Sequence, residues 1–191
     1  MNAPYYACNE LRPSSKAFWD FGHELFLSSP ESFPAAFVEG DIFDSAIISP
    51  RAPFKATEVL PPRPDLKSLI NLTLLQGHIS AIYAGSFFHL FDEPRQLQIA
   101  RQLGSLLSPL PGSSIFGGHV GALVKETRSY KNSDFKMFCH SPESWKDLWE
   151  TQVFEKGDVH VDTRLIALSY KSDEQAEAVD AYWLSWSITR L

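Results

Sequence analysis

Six histidines are the residues of this chain best suited to acid–base chemistry: His23, His78, His89, His119, His140 and His160. No two of them stand four positions apart, which is the spacing of a helical metal site, so we expect no metal. His89 and His119 follow or end apolar segments, where each could polarise a carbonyl or accept a proton. The alternative for each is a hydrogen-bonded core histidine.

Ser86 and Cys139 are the two candidate nucleophiles considered beside these histidines. Gly85-Ser86-Phe87 lacks the G-x-S-x-G turn of a serine nucleophile, and Cys139 beside His140 has no third group that the sequence identifies as its support. We therefore expect no covalent catalysis.

Aromatic residues make up 13% of the chain, and some of them could line an apolar ligand pocket. The candidates for a pocket that takes a hydrophobic polycyclic or polyene substrate are Phe87, Phe88, Phe91, Trp145 and Trp149. Packing in the core is the competing interpretation for each of them.

Composition bounds the class of protein. A length of 191 residues predicts a single domain over 1–191, and a net charge of −6 argues against a nucleic acid or an anionic membrane as partner. Two cysteines cannot form the disulfide framework of a small secreted protein. No apolar run reaches about 18 residues. We therefore expect a soluble, cytoplasmic protein.

The elements that must position these residues begin with a strand at 4–10 and an amphipathic helix at 14–29, with Phe18, Phe21, Leu25 and Phe26 on one face. A second strand is predicted at 33–41, and a Pro-rich loop at 49–64. Pro64 and Asp65 then open a helix with an apolar stripe, which Gly77 ends.

The second half of the chain alternates more regularly. We predict a strand at 78–88 that is buried on both faces, a helix opened by Asp92 and Pro94, and a strand at 113–121. Ser141 caps a helix carrying Trp145 and Trp149, and two antiparallel strands end the chain. This order predicts an α/β fold with an open, mostly parallel sheet, flanking helices and a C-terminal antiparallel strand pair.

The same order, with ACNELRP, FWDFGHELF, FVEGDIFD, the run HISAIYAGSFFHLF through SIFGGHVG, and HSPESWKDLW, resembles the fungal class I S-adenosylmethionine-dependent methyltransferases of polyketide and meroterpenoid pathways. The resemblance implies a cofactor site in which Glu10 accepts from the ribose hydroxyls and Asp41 lies beside the adenine. It also implies that Ser86 and His89 lie next to the reacting methyl group.

The chain departs from that family at the glycine-rich turn that precedes the ribose-binding acid. Nine residues stand before Glu10, and the closely spaced Gly117, Gly118 and Gly121 follow a late strand without opening a helix. Such a turn brings bare backbone N–H groups against the ligand. The sequence therefore predicts a degenerate site with Glu10 and Asp41 as its remnants. Three explanations stay open: a shortened gene model, a sheet that closes its own gap, or a homo-oligomer that covers the exposed edge.

Three functions remain open. The favoured hypothesis is a natural-product enzyme that needs no cofactor and folds a hydrophobic polyketide or terpenoid intermediate for cyclisation, isomerisation or a Diels–Alder-type step, with His89, His119 and Ser86 at the reacting centre. The first alternative is an S-adenosylmethionine-dependent O-methyltransferase that acts on a carboxylate or hydroxyl of a fungal metabolite. The second is a non-catalytic subunit that covers the sheet edge of a complete methyltransferase.

Overall fold

The structure, a computed structural model, describes residues 15–129, 136–168 and 181–191. Its strands are β1 (Ala81–Gly85), β2 (Ser114–Gly121), β3 (Glu126–Ser129), β4 (Lys136–Cys139), β5 (Val159–Leu168) and β6 (Ala181–Arg190). A four-stranded sheet has the order β1-β2-β6-β5, and β3 pairs with β4 in a separate hairpin. Among the strands of the described residues, β1 and β2 pair in parallel, and β6 is antiparallel to both β2 and β5. The α/β class and the C-terminal antiparallel pair are confirmed.

The described part of the chain has three α-helices beside the sheet: α1 (Ser15–Leu25), α2 (Glu93–Leu106) and α3 (Pro142–Asp147). α3 continues as a π-helical turn at Leu148–Val153. Single 3₁₀ turns occur at Leu66–Ser68, Thr73–Leu75 and Phe88–Leu90. No helix within these described stretches has the length and apolarity needed to cross a bilayer.

Local signals in the sequence set the start of α2. The carboxylate of Asp92 accepts from the Arg95 N–H at 3.0 Å, and Pro94 occupies the first turn, where its missing N–H costs nothing. Ala100, Leu103 and Leu107 are buried as the predicted stripe requires, and Leu97 is half-buried. The predicted helix is confirmed.

The core lies on one face of the sheet, beneath α2 and α3. Ile99 of α2 and Trp145 of α3 belong to the same buried cluster as Ile115, Leu184 and Ile188 of the sheet. Gly117 of β2 permits the tight fit at its centre, since an added Cβ would meet the Ala84 carbonyl and lie 3.1 Å from the Trp186 ring. The absence of a side chain at Gly117 therefore leaves room for the Trp186 ring, which is buried in the core.

The first third of the described chain differs from its prediction. Helix α1 forms, but Phe18, Phe21, Leu25 and Phe26 of its apolar face are all exposed. Residues 33–41 form no strand, and 64–76 form two 3₁₀ turns in place of a helix. A short apolar run becomes a strand only where a neighbouring strand can pair with it, and no described strand lies beside 33–41. The predicted strand at 4–10 lies outside the described residues.

β1 is also not buried on both faces, which corrects the prediction for 78–88. Ile82 and Ala84 face the core, but Tyr83 on the other side is 72% exposed. Phe116 of the neighbouring strand β2 lies beside Tyr83, with ring centroids 5.6 Å apart, and is exposed as well. The reason is that none of the described helices covers this second face of the sheet.

Candidate functional site

The candidate site lies where β1 and β2 end, at the carboxyl edge of the parallel pair. Ligands of open α/β sheets bind at such edges. Ser86 follows β1 directly, has a φ of 54°, and donates its N–H to the Gly118 carbonyl at 2.7 Å. A left-handed φ is costly for serine, so this hydrogen bond helps to hold a sharp turn that leaves the Ser86 side chain exposed.

The 3₁₀ turn after Ser86 divides its side chains between the core and the site. Phe88 is fully buried, whereas Phe87, His89 and Phe91 are half-buried. Phe87 and Phe91 meet edge to face at 5.2 Å between ring centroids. An apolar wall formed by Phe87 and Phe91 therefore lies next to Ser86 and His89.

The loop of Asp41 is attached to this wall. Phe43 packs edge to face on Phe91 with ring centroids 5.1 Å apart, and Arg95 of α2 lies 5.3 Å above the Phe43 ring. Gln102 of α2 donates to the carbonyl of Ile42 at 2.6 Å. The contacts of Phe43 thus hold the loop of Asp41, a predicted cofactor residue, next to Phe91. The sequence did not reveal these contacts.

Asp41 itself is exposed, and one of its carboxylate oxygens accepts from the N–H of Phe43 at 2.9 Å. Asp44 makes the equivalent turn contact with the N–H of Ala46 at 2.8 Å. Both acids therefore shape the loop, as Asp residues often do. Glu10, the other predicted cofactor residue, lies outside the described residues.

His119 is fully buried in β2 among aromatic rings. The indole N–H of Trp186 donates to its Nδ1 at 2.9 Å, and Trp145 lies 4.7 Å away between ring centroids. Burial, with smaller contributions from His140 and His89, lowers the pKa of His119 to about 3. His119 is therefore neutral at physiological pH and cannot serve there as a solvent-exchanging base.

Two further histidines lie close to His119. His89 lies 6.5 Å from His119 between ring centroids, with the planes 26° apart, and burial lowers its pKa. His140 is bonded through Nδ1 to the Ser144 hydroxyl at 2.9 Å, and burial lowers its pKa to about 4. Within the described part of the chain, no group of three His, Cys, Asp or Glu side chains could hold a metal ion.

The five aromatic candidates for a substrate pocket separate into two groups. Phe88, Trp145 and Trp149 have no exposed surface and belong to the core, which is the competing interpretation stated above. Phe87 and Phe91 stay at the site. A cavity of about 590 Å³ lies elsewhere, over the uncovered face of the sheet beside Tyr83, Phe116 and Trp183.

The described residues fit only part of an S-adenosylmethionine site. Asp41 offers a carboxylate, and Phe43, Phe87 and Phe91 offer ring faces on which an adenine could stack. No glycine-rich turn opens a helix in the described ranges, and the N-terminus of α2 is already capped by Asp92. These residues alone do not enclose a nucleotide.

Sequence comparison shows what the chain is similar to. It is 32% identical over 142 residues to the O-methyltransferase phiE of a fungal species, covering 74% of this chain and 40% of phiE. The chain is therefore related to fungal methyltransferases. The chain is also 32% identical over 143 residues to the Asnovolin E/Chermesin D methyltransferase nvfJ of Aspergillus novofumigatus. That alignment covers 72% of this chain and 47% of nvfJ.

A third relative is the methyltransferase adrK of Penicillium rubens, 26% identical over 149 residues, with 78% of this chain and 44% of adrK covered. The chain thus spans less than half the length of each of these three relatives. No protein-family model matches it. A solved DhpI–SAH complex aligns with a TM-score of 0.35 and 12% identity over 58% of this chain and 47% of that one.

The comparisons confirm the resemblance found in the sequence and change the order of the functional hypotheses. The three relatives named above are methyltransferases, which favours the methyltransferase alternative over cofactor-independent cyclisation. The chain is therefore methyltransferase-like.

Proposed function

We propose that this chain takes part in S-adenosylmethionine-dependent methyl transfer to an oxygen of a hydrophobic fungal metabolite, and that its described part forms the acceptor side of that site. The observation that carries the proposal is the 32% identity over 142 residues to a fungal O-methyltransferase. When bound, S-adenosylmethionine supplies the methyl group, and its sulfur keeps the electron pair of the broken bond.

The geometry of the candidate site supports an acceptor-binding role. Phe87 and Phe91 present apolar ring surface beside the exposed Ser86 and the half-buried His89. A hydrophobic metabolite can lie against such rings while one of its oxygens meets a polar side chain, which is the usual composition of a small-molecule site. Glu10 and other residues outside the described ranges would complete the donor's side.

Calorimetric titration of the full 191-residue chain with S-adenosylmethionine tests the donor's part of the proposal. We expect binding, and we expect Asp41→Asn to weaken it by about tenfold or more, since a hydrogen bond to a charged group contributes about 1.5–3 kcal/mol. Asp44→Asn is the matched control, because Asp44 makes the same turn contact in the same loop.

Two results would count against this assignment. Absence of measurable binding to the wild-type chain would remove the donor and return the cofactor-independent reaction to first place. Equal weakening by Asp41→Asn and Asp44→Asn would show that the loop's shape, and not the Asp41 carboxylate, matters for the donor.

Transfer itself is tested by incubating the chain with S-adenosylmethionine labelled in its methyl group and an organic extract of a fungal culture. We expect label in the extractable fraction. Binding of the donor without transfer, together with transfer once a complete methyltransferase is added, would favour the non-catalytic subunit.

A further inference from the structure

Two of the buried ring nitrogens that lack a hydrogen-bond partner belong to stacked histidines at the candidate site. They are Nε2 of His119 and Nδ1 of His89. A buried polar atom that makes no hydrogen bond costs about 1–3 kcal/mol, so each atom calls for an explanation. The two rings are neighbours, with centroids 6.5 Å apart.

The hydrogen on His119 is assigned by its contact with Trp186. An indole nitrogen can only donate, so the 2.9 Å contact makes Nδ1 of His119 an acceptor. A neutral imidazole carries one hydrogen, which must then be on Nε2. The unpartnered atom of His119 is therefore an N–H that needs an acceptor.

Nδ1 of His89 is the acceptor assigned to this hydrogen, through water, because the two rings are stacked neighbours. Nε2 of His140, also buried and unpartnered, is the competing acceptor. Neither Nε2 of His119 nor Nδ1 of His89 has a direct partner in the structure, which excludes an N–H···N bond between the two rings. One water making two hydrogen bonds joins polar atoms about 5 Å apart, and the two rings lie 6.5 Å apart between centroids. The nearby Trp145 indole cannot take this role because it has no acceptor atom.

We propose that Trp186, His119 and His89 form a hydrogen-bond relay, completed by one buried water between the two histidines, that makes Nε2 of His89 a hydrogen-bond donor toward an oxygen of the bound substrate. Trp186 donates to His119, His119 donates to the water, and the water donates to Nδ1 of His89. The hydrogen of His89 is then on Nε2, which is not among the buried unpartnered atoms.

The relay distinguishes two roles that the sequence leaves open for these histidines. His89 would contact the substrate and stabilise negative charge on an oxygen, while His119 and Trp186 are positioning residues that act through it. The low pKa of His119 is consistent with this division, since the ring stays neutral over the working range. The relay belongs to the free chain, and its use in methyl transfer rests on the proposed function.

Histidine tautomers in the free chain test the relay directly. In long-range ¹H–¹⁵N spectra of chain labelled at histidine, a protonated ring nitrogen is distinguished from an unprotonated one. We expect His89 and His119 each to show the single Nε2–H form at neutral pH, with signals assigned from the His89→Gln and His119→Gln variants. A hydrogen on Nδ1 of either residue in the wild-type chain overturns the proposal.

Trp186→Phe provides the second arm of the test, because it removes the indole N–H that donates to His119 and keeps an aromatic ring. We expect His119 and, through it, His89 to lose the single Nε2–H pattern and show mixed tautomers. Trp149→Phe is the control, since Trp149 is equally buried in the same cluster and its indole nitrogen has no partner. Unchanged tautomers of His89 in a folded Trp186→Phe variant contradict the relay.

The acceptor for the Nε2–H of His119 is tested by replacing each neighbouring histidine with alanine in turn. His89→Ala should shift the His119 ring signals more than His140→Ala does. A larger shift in His140→Ala would place the water on His140 and end the assignment of His89. The samples for these spectra contain neither S-adenosylmethionine nor a methyl acceptor. A failure of the relay and a failure of methyl transfer are therefore separate results.

Discussion

Phe88 occupies the centre of the aromatic core. Its ring meets Trp145 edge to face at 4.8 Å between centroids, and Trp186 and His119 each lie 5.8 Å away. The side chain has no exposed surface. Its removal would leave a cavity that rigid neighbouring rings cannot readily fill.

We expect Phe88→Ala to lower the free energy of unfolding by about 3–5 kcal/mol, the usual loss when a buried phenylalanine is truncated. Urea denaturation followed by tryptophan fluorescence measures it. Phe26→Ala is the control of the same chemistry on a side chain that is 78% exposed, and should change stability by about 0.5 kcal/mol or less. Similar losses in the two variants would show that Phe88 is not a core residue.

Residue types identified the candidate site only in part. The order of His89, His119 and Ser86 along the chain is enough to place them near the ends of β1 and β2. The sequence could not decide which aromatic rings are buried, because Phe87 and Phe88 are adjacent and a single 3₁₀ turn separates their environments. The partner of His119 also requires the register of β2 against β6, which joins residues 67 positions apart.

Elements with strong local signals are the part of the fold that the sequence predicts well. α2 has a cap, a proline in its first turn and a regular apolar stripe, and α3 begins at Ser141 with a reciprocal capping box. Residues 64–76 carry the same kinds of start and stop signal but form only short 3₁₀ turns. The difference lies in packing, since α2 buries a full face and the 3₁₀ turn at Leu66–Ser68 buries nothing.

Removal of the α2 cap should lower the stability of the protein measurably. We expect Asp92→Ala to cost about 1 kcal/mol of stability, because the N–H of Arg95 loses its acceptor and the helix loses a favourable charge at its N-terminus. Thermal unfolding followed by circular dichroism measures the change.

Asp65→Ala provides the comparison for that experiment. Asp65 accepts from the N–H of Lys67 at the same distance of 3.0 Å but caps a three-residue turn. We expect a clearly smaller loss there. If the two variants lose equal stability, the helix itself adds nothing to the effect of its cap.

The whole molecule has one sheet face under helices and one face that the described residues leave open. Tyr83, Phe116 and Trp183 lie on the open face. α1 likewise exposes the aromatic side chains of its apolar face. Contiguous apolar surface of this kind is a common site of association.

We therefore expect the chain to self-associate as its concentration rises, in agreement with the homo-oligomer that the sequence analysis names. Sedimentation velocity at several concentrations measures this. A Tyr83→Ser/Phe116→Ser variant should associate several-fold less, while Val59→Ser, which changes an isolated loop side chain that is 93% exposed, should behave as the wild type. A monomer at every concentration contradicts the expectation.

The end position of β1 has one more consequence. β1 has a hydrogen-bonded neighbour on one side only among the described strands, and its five residues, AIYAG, carry no charge and no proline. Nothing in that segment repels an incoming backbone, so a foreign peptide in extended form can align with it by main-chain bonds alone. The uncharged edge of β1 is therefore open to aggregation by strand addition.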